Sequence, residues 1–366
     1  MRNRRSPLGL LAAVLLATLI AACQPSTSTS APGGDPEANR ARLRDILAEP
    51  GVTYLAVNEI CRCVHIGAAD DAADQQVRQF VSAAGVPLDQ VQIVRRGPFR
   101  QQWNLQDSIR PIKGGLRIQN TDYVQCTMFA TVYHKLLQKK GLLTNAHCSR
   151  RQFALDEIEF YQPGGVPFSG DFVARETIDA EGFTLPADRP SASRTTPPGP
   201  DRCPVGHTCR KSDAVFARFD TSTVGIVGRL ARPAGRCGDG SACTRDLAGN
   251  DPNAFLQIAG TGKASVGTVV DKIGWRTGWT FGKVSETCAD VSVVDDAGKP
   301  LNITLLCQTL VDGKSDKGDS GSPAFIWDGG DGATLVGILW GGVGDGFVYS
   351  PLDQVEEELG EFAYRE

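Results

Sequence analysis

Histidine is scarce in this chain, with four among 366 residues, so any chemistry that needs an imidazole has a short list of suppliers. A basic excess is missing too. Lys and Arg number 38 against 42 Asp and Glu, which gives no electrostatic footprint for a phosphate backbone, and no nucleic-acid partner is expected. No pair of Cys-x-x-Cys knuckles occurs, so no metal and no other cofactor is expected; Cys61, Cys63 and His65 are the one place where ligating residue types crowd together. A bilayer-spanning helix needs about twenty apolar residues, and the run from Leu8 to Ala22 has only roughly fifteen.

That run follows Arg2, Arg4 and Arg5 and precedes Cys23 and a Ser/Thr/Pro-rich stretch, the arrangement of a secretory signal. Leu19-Ile20-Ala21-Ala22-Cys23 resembles the lipobox of bacterial lipoproteins. The resemblance implies a signal over residues 1–22, lipidation of Cys23, a tether over 23–36, and a membrane partner through that lipid in the bacterial cell envelope, at the outer membrane or periplasm of a Gram-negative organism. Of eleven cysteines, lipidation of one leaves an even number, suited to disulfides in an oxidising compartment.

From Glu37 the pattern predicts helix, strand, strand, helix, strand. Ala41 to Leu47 is helical, Val52 to Asn58 and Cys61 to Ile66 are β, Asp70 to Ala84 carries helical spacing at Ala73, Val77 and Val81, and Val91 to Val94 is a further strand. Residues 37–105 are thus a small α/β unit, read either as a pro-region or regulatory module or as a structural cap. From Gly114 onward short apolar or alternating runs are divided by Gly, Pro and Asp: Leu116 to Ile118, Phe129 to Tyr133, Gly141 to Asn145, Ala214 to Phe219, Gly267 to Ile273, Ile303 to Gln308 and Thr334 to Trp340. Such a series predicts a barrel or sandwich. Gln162 to Pro204 reads as a surface insertion and Ala231 to Asn253 as a linker. Ser350 as N-cap and Pro351 as first helical residue predict a terminal amphipathic helix with Leu352, Val355, Leu359 and Phe362 on one face.

The strongest chemical signal is Gly318-Asp319-Ser320-Gly321-Ser322-Pro323. A serine nucleophile needs a tight turn and converging backbone N–H groups, and the flanking glycines permit both, with Gly318 and Ser320 as the expected oxyanion hole. A plain turn between strands is the bland alternative. The hydroxyl needs an imidazole to take its proton. His147, at the end of the strand-like Leu142-Leu143-Thr144-Asn145-Ala146, is the best placed, whereas His65 lies in the α/β unit, His207 in a short Cys203 to Cys209 loop, and His134 reads as a plain surface residue. Asp213, at the mouth of the alternating run Ala214 to Phe219, is the candidate carboxylate to orient the imidazole.

Thr144 to Cys148, Asp213 to Phe219, Gly318 to Pro323 and Leu339-Trp340-Gly341 resemble, in order, the landmark motifs of trypsin- and chymotrypsin-like serine proteases. The resemblance covers Gly114 to Glu366. It implies a mainly β fold of two six-stranded antiparallel barrels over 114–230 and 260–366, joined by a linker over 231–259, with His147 and Asp213 from the first and Ser320 from the second. It further implies a monomeric serine endopeptidase acting on protein or peptide substrate, whose backbone pairs with Leu339, Trp340 and Gly341, and a pocket floor near Lys314, Ser315 and Asp316. Cys126–Cys148 matches the family's staple beside the histidine; Cys203–Cys209, Cys237–Cys243 and Cys288–Cys307 are further expected local pairs, while the pairing of Cys61 and Cys63 stays open. Trp275 and Trp279 are expected in the core. Arg110-Pro111-Ile112-Lys113-Gly114-Gly115 lacks the family's activation sequence, so Asp319 is expected to find an internal partner. The same fold kept as a catalytically silent peptide-binding surface is the alternative.

Overall fold

A computed structural model describes residues 34–99, 101–164, 170–184, 203–221, 223–238, 243–295, 297–343 and 345–365. The signal segment, Cys23 and nearly all of the tether lie outside these, as does much of the Gln162 to Pro204 stretch. No helix among the described residues is long and apolar enough to cross a membrane. The chain divides into two compact units at Arg100/Gln101.

In the first unit the strand Cys63–Ala68 lies between Val52–Asn58, antiparallel, and Val91–Arg95, parallel. A parallel return requires a crossover, supplied by the helix Asp71–Ala83. Asp70 caps it by accepting from Ala73 N at 2.8 Å, and its buried face is the expected Ala73, Val77 and Val81. These side chains pack with Leu43, Ile46, Val64, Ile66 and Val86 into a core of the unit's own. Cys61 and Cys63, whose pairing the sequence leaves open, are disulfide-bonded.

The second unit is mainly β, as expected. One sheet runs antiparallel through Phe362–Ala363, Ala130–His134, Lys139–Thr144, Val215–Phe219, Asp171–Asp179, Glu159–Gln162, Arg117–Asn120 and Gln125–Thr127. The other contains the long hairpin Gly278–Val294 with Pro300–Asp312, then Val269–Gly274, Pro323–Trp327, Gly332–Val343, Phe255–Thr261 and Gly225–Ala231, with Gly346–Pro351 paired to the hairpin and to Gly332–Val343. Among the described residues the first sheet thus has eight strands, and short strands from connecting segments bring the second to twelve. The four expected disulfides, Cys126–Cys148, Cys203–Cys209, Cys237–Cys243 and Cys288–Cys307, are formed. Trp275 and Trp279 are buried in the main core.

Four expectations are corrected. The Gln162 to Pro204 stretch is not only a surface insertion: its Asp171–Asp179 is an interior strand of the first sheet, with Val173 and Ala174 buried, because Val215–Phe219 and Glu159–Gln162 pair with its two edges. His134 is buried, not a surface residue. Its Nε2 donates to Leu359 O at 2.9 Å, its Nδ1 accepts from Leu137 N at 3.2 Å, and its ring packs on Phe216 and Phe362. The lone-histidine reading failed because the covering strand Phe362–Ala363 comes from far along the chain. The terminal helix is Leu352–Leu359, and Ser350 belongs to the preceding strand instead of capping it. Phe362 is not on the helix, since Gly360, at φ 96°, breaks the chain out into the short strand.

Candidate active site

The strand Lys139–Thr144 carries two consecutive buried leucines, Leu142 and Leu143, and delivers the chain to a short turn, Ala146–Cys148, at the sheet's end. Cys148 is tied to Cys126, so the residue between Ala146 and Cys148 is held from both sides. Beside it, Val215–Phe219 pairs with Lys139–Thr144 in the register Val215↔Thr144, which sets Asp213 opposite that turn. His147 Nδ1 meets Asp213 Oδ2 at 2.5 Å, and His147 N donates to Asp213 Oδ1 at 3.1 Å. Asn145 Nδ2 donates to Asp213 O at 2.6 Å, closing a third link.

The electrostatics favour the charged pair. Burial pulls the His147 imidazolium down, but the Asp213 charge and hydrogen bond outweigh it and hold the histidine above its ordinary value of 6.5. Burial pushes Asp213 up, yet the charge and hydrogen bond of His147, with the Arg210 charge behind them, hold it below its ordinary range.

Ser320 reaches the same cleft from the other sheet. Its carbonyl accepts from Thr127 N at 2.7 Å, and Gly321 N donates to Leu339 O at 2.8 Å. Gly321 has φ 89°, and a Cβ there would lie 2.0 Å from Thr127 O, so only glycine lets the loop seat against that strand. The Ser320 hydroxyl bonds to no described residue, and among the backbone hydrogen bonds neither Gly318 N nor Ser320 N donates to one. A cleft of about 670 Å³ is lined by His147, Asp213, Ser320, Leu339, Trp340, Gly341 and Ser315, with Val291 to Asp295 and Leu301 of the long hairpin along one wall. Lys314 is not among its lining residues; the Lys314 carbonyl accepts from Thr280 Oγ1 at 2.7 Å. Where the floor and wall segments meet, a Cβ at Gly342 would lie 2.5 Å from Ser315 Oγ.

Strand Gly332–Val343 pairs with Pro323–Trp327 only as far as Ile338, while its other edge stays paired to Gly346. Trp340 to Gly342 therefore have a second edge with no strand partner among the described residues.

Several supporting residues escaped the sequence reading. Asp319 is fully buried and, as expected, internally satisfied: Lys272 Nζ lies at 2.9 Å, Thr277 Oγ1 at 2.6 Å, and the N–H groups of Arg276, Thr277 and Asp316 at 3.1, 3.2 and 3.1 Å. The signal for Lys272 was an Asp-Lys pair inside the apolar run Gly267 to Ile273. Gln152 Nε2 donates to Asp213 Oδ1 at 3.3 Å. Asp213 N donates to Ser350 Oγ at 3.1 Å, Ser350 Oγ to Gln308 Oε1 at 2.8 Å, and Trp340 Nε1 to the same oxygen at 2.9 Å. Glu358 accepts from Lys211 N at 2.7 Å, Ser212 N at 3.0 Å and Arg210 Nε at 3.0 Å.

No protein-family profile and no curated protein matches this chain. Solved structures do. Nocardiopsis protease NAPase aligns at 16% identity over 70% of this chain and 99% of its own, with a TM-score of 0.44. Thermobifida fusca protease A aligns at 16% over 67% and 94%, TM-score 0.42, and Cellulomonas bogoriensis chymotrypsin at 16% over 67% and 94%, TM-score 0.41.

Proposed function

We propose that the chain is an exported, lipid-anchored serine endopeptidase that hydrolyses peptide bonds of a protein or peptide substrate through an acyl-enzyme on Ser320. The observation that carries this reading is the 2.5 Å contact of His147 Nδ1 with Asp213 Oδ2 at the edge of the cleft that also contains Ser320.

With Nδ1 donating to the carboxylate, Nε2 is left as the proton acceptor. Ser320 Oγ attacks the scissile carbonyl carbon and gives its proton to His147 Nε2. The oxyanion is received by the N–H groups of Gly318 and Ser320, which bond to nothing else among the described residues. Collapse of the tetrahedral species breaks the C–N bond, and the leaving amine takes the proton from His147. Water then repeats the sequence on the ester and frees Ser320. The open edge of Trp340 to Gly342 supports an extended substrate strand docking there. Disulfides through the second unit support an oxidising, exported setting.

The test is labelling by a fluorophosphonate probe together with cleavage of unfolded casein. The wild-type chain is expected to do both and Ser320→Ala neither. A properly folded wild-type protein that does neither would leave a peptide-binding surface in place of an enzyme.

A further inference from the structure

The first unit holds a second group of reactive side chains. The turn between Val52–Asn58 and Cys63–Ala68 is exposed, with Ile60 96% exposed at its tip and Cys61 exposed beside it. Asn58 Oδ1 accepts from Ile60 N at 2.9 Å and from Cys61 N at 3.3 Å, so side-chain hydrogen bonds hold the turn independently of the sulfur atoms. Cys61 is bonded to Cys63, and His65 Nε2 lies 3.6 Å from Cys61 Sγ.

Three properties bear on how readily this bond opens. It closes the shortest loop of any disulfide among the described residues, a separation of 2 against 6 to 22 for the rest, so it restrains the unfolded chain least and the fold depends on it least. The unit's core is built from Leu43, Ile46, Val64, Ile66, Val77 and Val81 and contains neither sulfur. The intervening Arg62 sits at φ 52°, a left-handed conformation costly for a residue with a side chain. A thiolate formed at Cys61 would have the His65 imidazole 3.6 Å away, a neighbour of the kind that activates thiols.

We propose that Cys61–Cys63 is a redox-active disulfide that exchanges with dithiols, with Cys61 as the exchanging sulfur and His65 positioned to stabilise its thiolate. A thiolate of the dithiol attacks exposed Cys61 Sγ, forms a mixed disulfide and expels Cys63 as a thiolate, which takes a proton from solvent. The partner's second thiol then attacks its own sulfur in the mixed disulfide, closing the partner's disulfide and releasing Cys61 beside His65. Two electrons pass from the dithiol to the protein, and run backwards the same steps oxidise a dithiol. This assignment is independent of the peptidase reading.

The test treats the native full-length chain with increasing dithiothreitol, alkylates free thiols with iodoacetamide and maps them by mass spectrometry. Cys61 and Cys63 are expected to become alkylated at a dithiol concentration at least ~10-fold below that needed by the other disulfides. Cys63→Ser is expected to be captured by oxidised glutathione as a lasting mixed disulfide at Cys61, and adding His65→Ala to slow that capture about 10-fold while circular dichroism stays unchanged. Opening of this bond only together with the others, failure of Cys63→Ser to be captured, or a capture rate indifferent to His65 would each overturn the proposal.

Discussion

Asp213 has two jobs that a single substitution separates. Its carboxylate raises His147 above 6.5 and its backbone ties the turn through Asn145. On the proposed mechanism His147 must be neutral to act as the base, so the acid limb of kcat/KM is expected to lie above pH 6.5. Asp213→Asn keeps the backbone links but removes the charge. The limb should then move below 6.5, because only burial still acts on the imidazole, and kcat should fall by about 10⁴. An unmoved limb in a pH–rate profile would mean that the carboxylate does not govern this histidine. The linkage signs differ for the two partners. The His147 contribution to stability is full below 6.5 and fades as pH rises through the folded value, whereas that of Asp213 is present above 3.8 and is lost as pH falls through its lowered value. At this scale the sequence marked residues that line one cleft where the signal is local: glycines around Ser320, an apolar strand before His147, an alternating run after Asp213. It was opaque for Gln152, Gln308 and Ser350, because an amide or hydroxyl looks the same whether it meets water or a buried partner brought from more than sixty positions away.

Strand Val269–Gly274 shows the same limit for an element. Its apolar residues marked it as a strand, but the buried face also carries Lys272, which meets Asp319 at 2.9 Å with both side chains inaccessible to solvent. Burial pulls the Lys272 ammonium down while the Asp319 charge and hydrogen bond oppose that shift. Removing one member strands the other charge in the interior. Lys272→Met is therefore expected to cost about 3 to 5 kcal/mol of stability, read from urea unfolding, and to loosen the loop that carries Ser320. A loss within the range of an exposed ion pair, below about 1 kcal/mol, would show that the ammonium is dispensable. The helix Leu352–Leu359 was legible by its apolar spacing, yet its start was misplaced by one residue. Ser350 has the composition of a cap, but its hydroxyl is engaged by Asp213 N and Gln308 instead, and tertiary partners override local preference wherever the backbone is already paired in a sheet.

Among the described residues the core of the first unit, Leu43 to Val86, shares no residue with the buried clusters of the second, of which the largest runs from Leu105 to Tyr364. Units with separate cores can fold alone, so calorimetry of the whole protein is expected to resolve two transitions, and a fragment of residues 101–366 to reproduce the larger one. A single cooperative transition would refute that independence. The sequence reads as a mixed helix-and-strand pattern up to Val94 and as short β runs after Gly114, a change of period that reflects which elements form. The fusion of Gly225–Ala231 with Phe255–Thr261 and Gly332–Val343 into one sheet was not legible there, because register depends on partners far along the chain. Glu358 adds a matter of timing. It grips the backbone of Lys211 and Ser212 across about 146 positions, so a polypeptide emerging from the ribosome holds the aspartate's loop unclamped until that glutamate arrives. On the proposed peptidase reading, the order of synthesis alone would shield the cell from a cutting centre assembled too early.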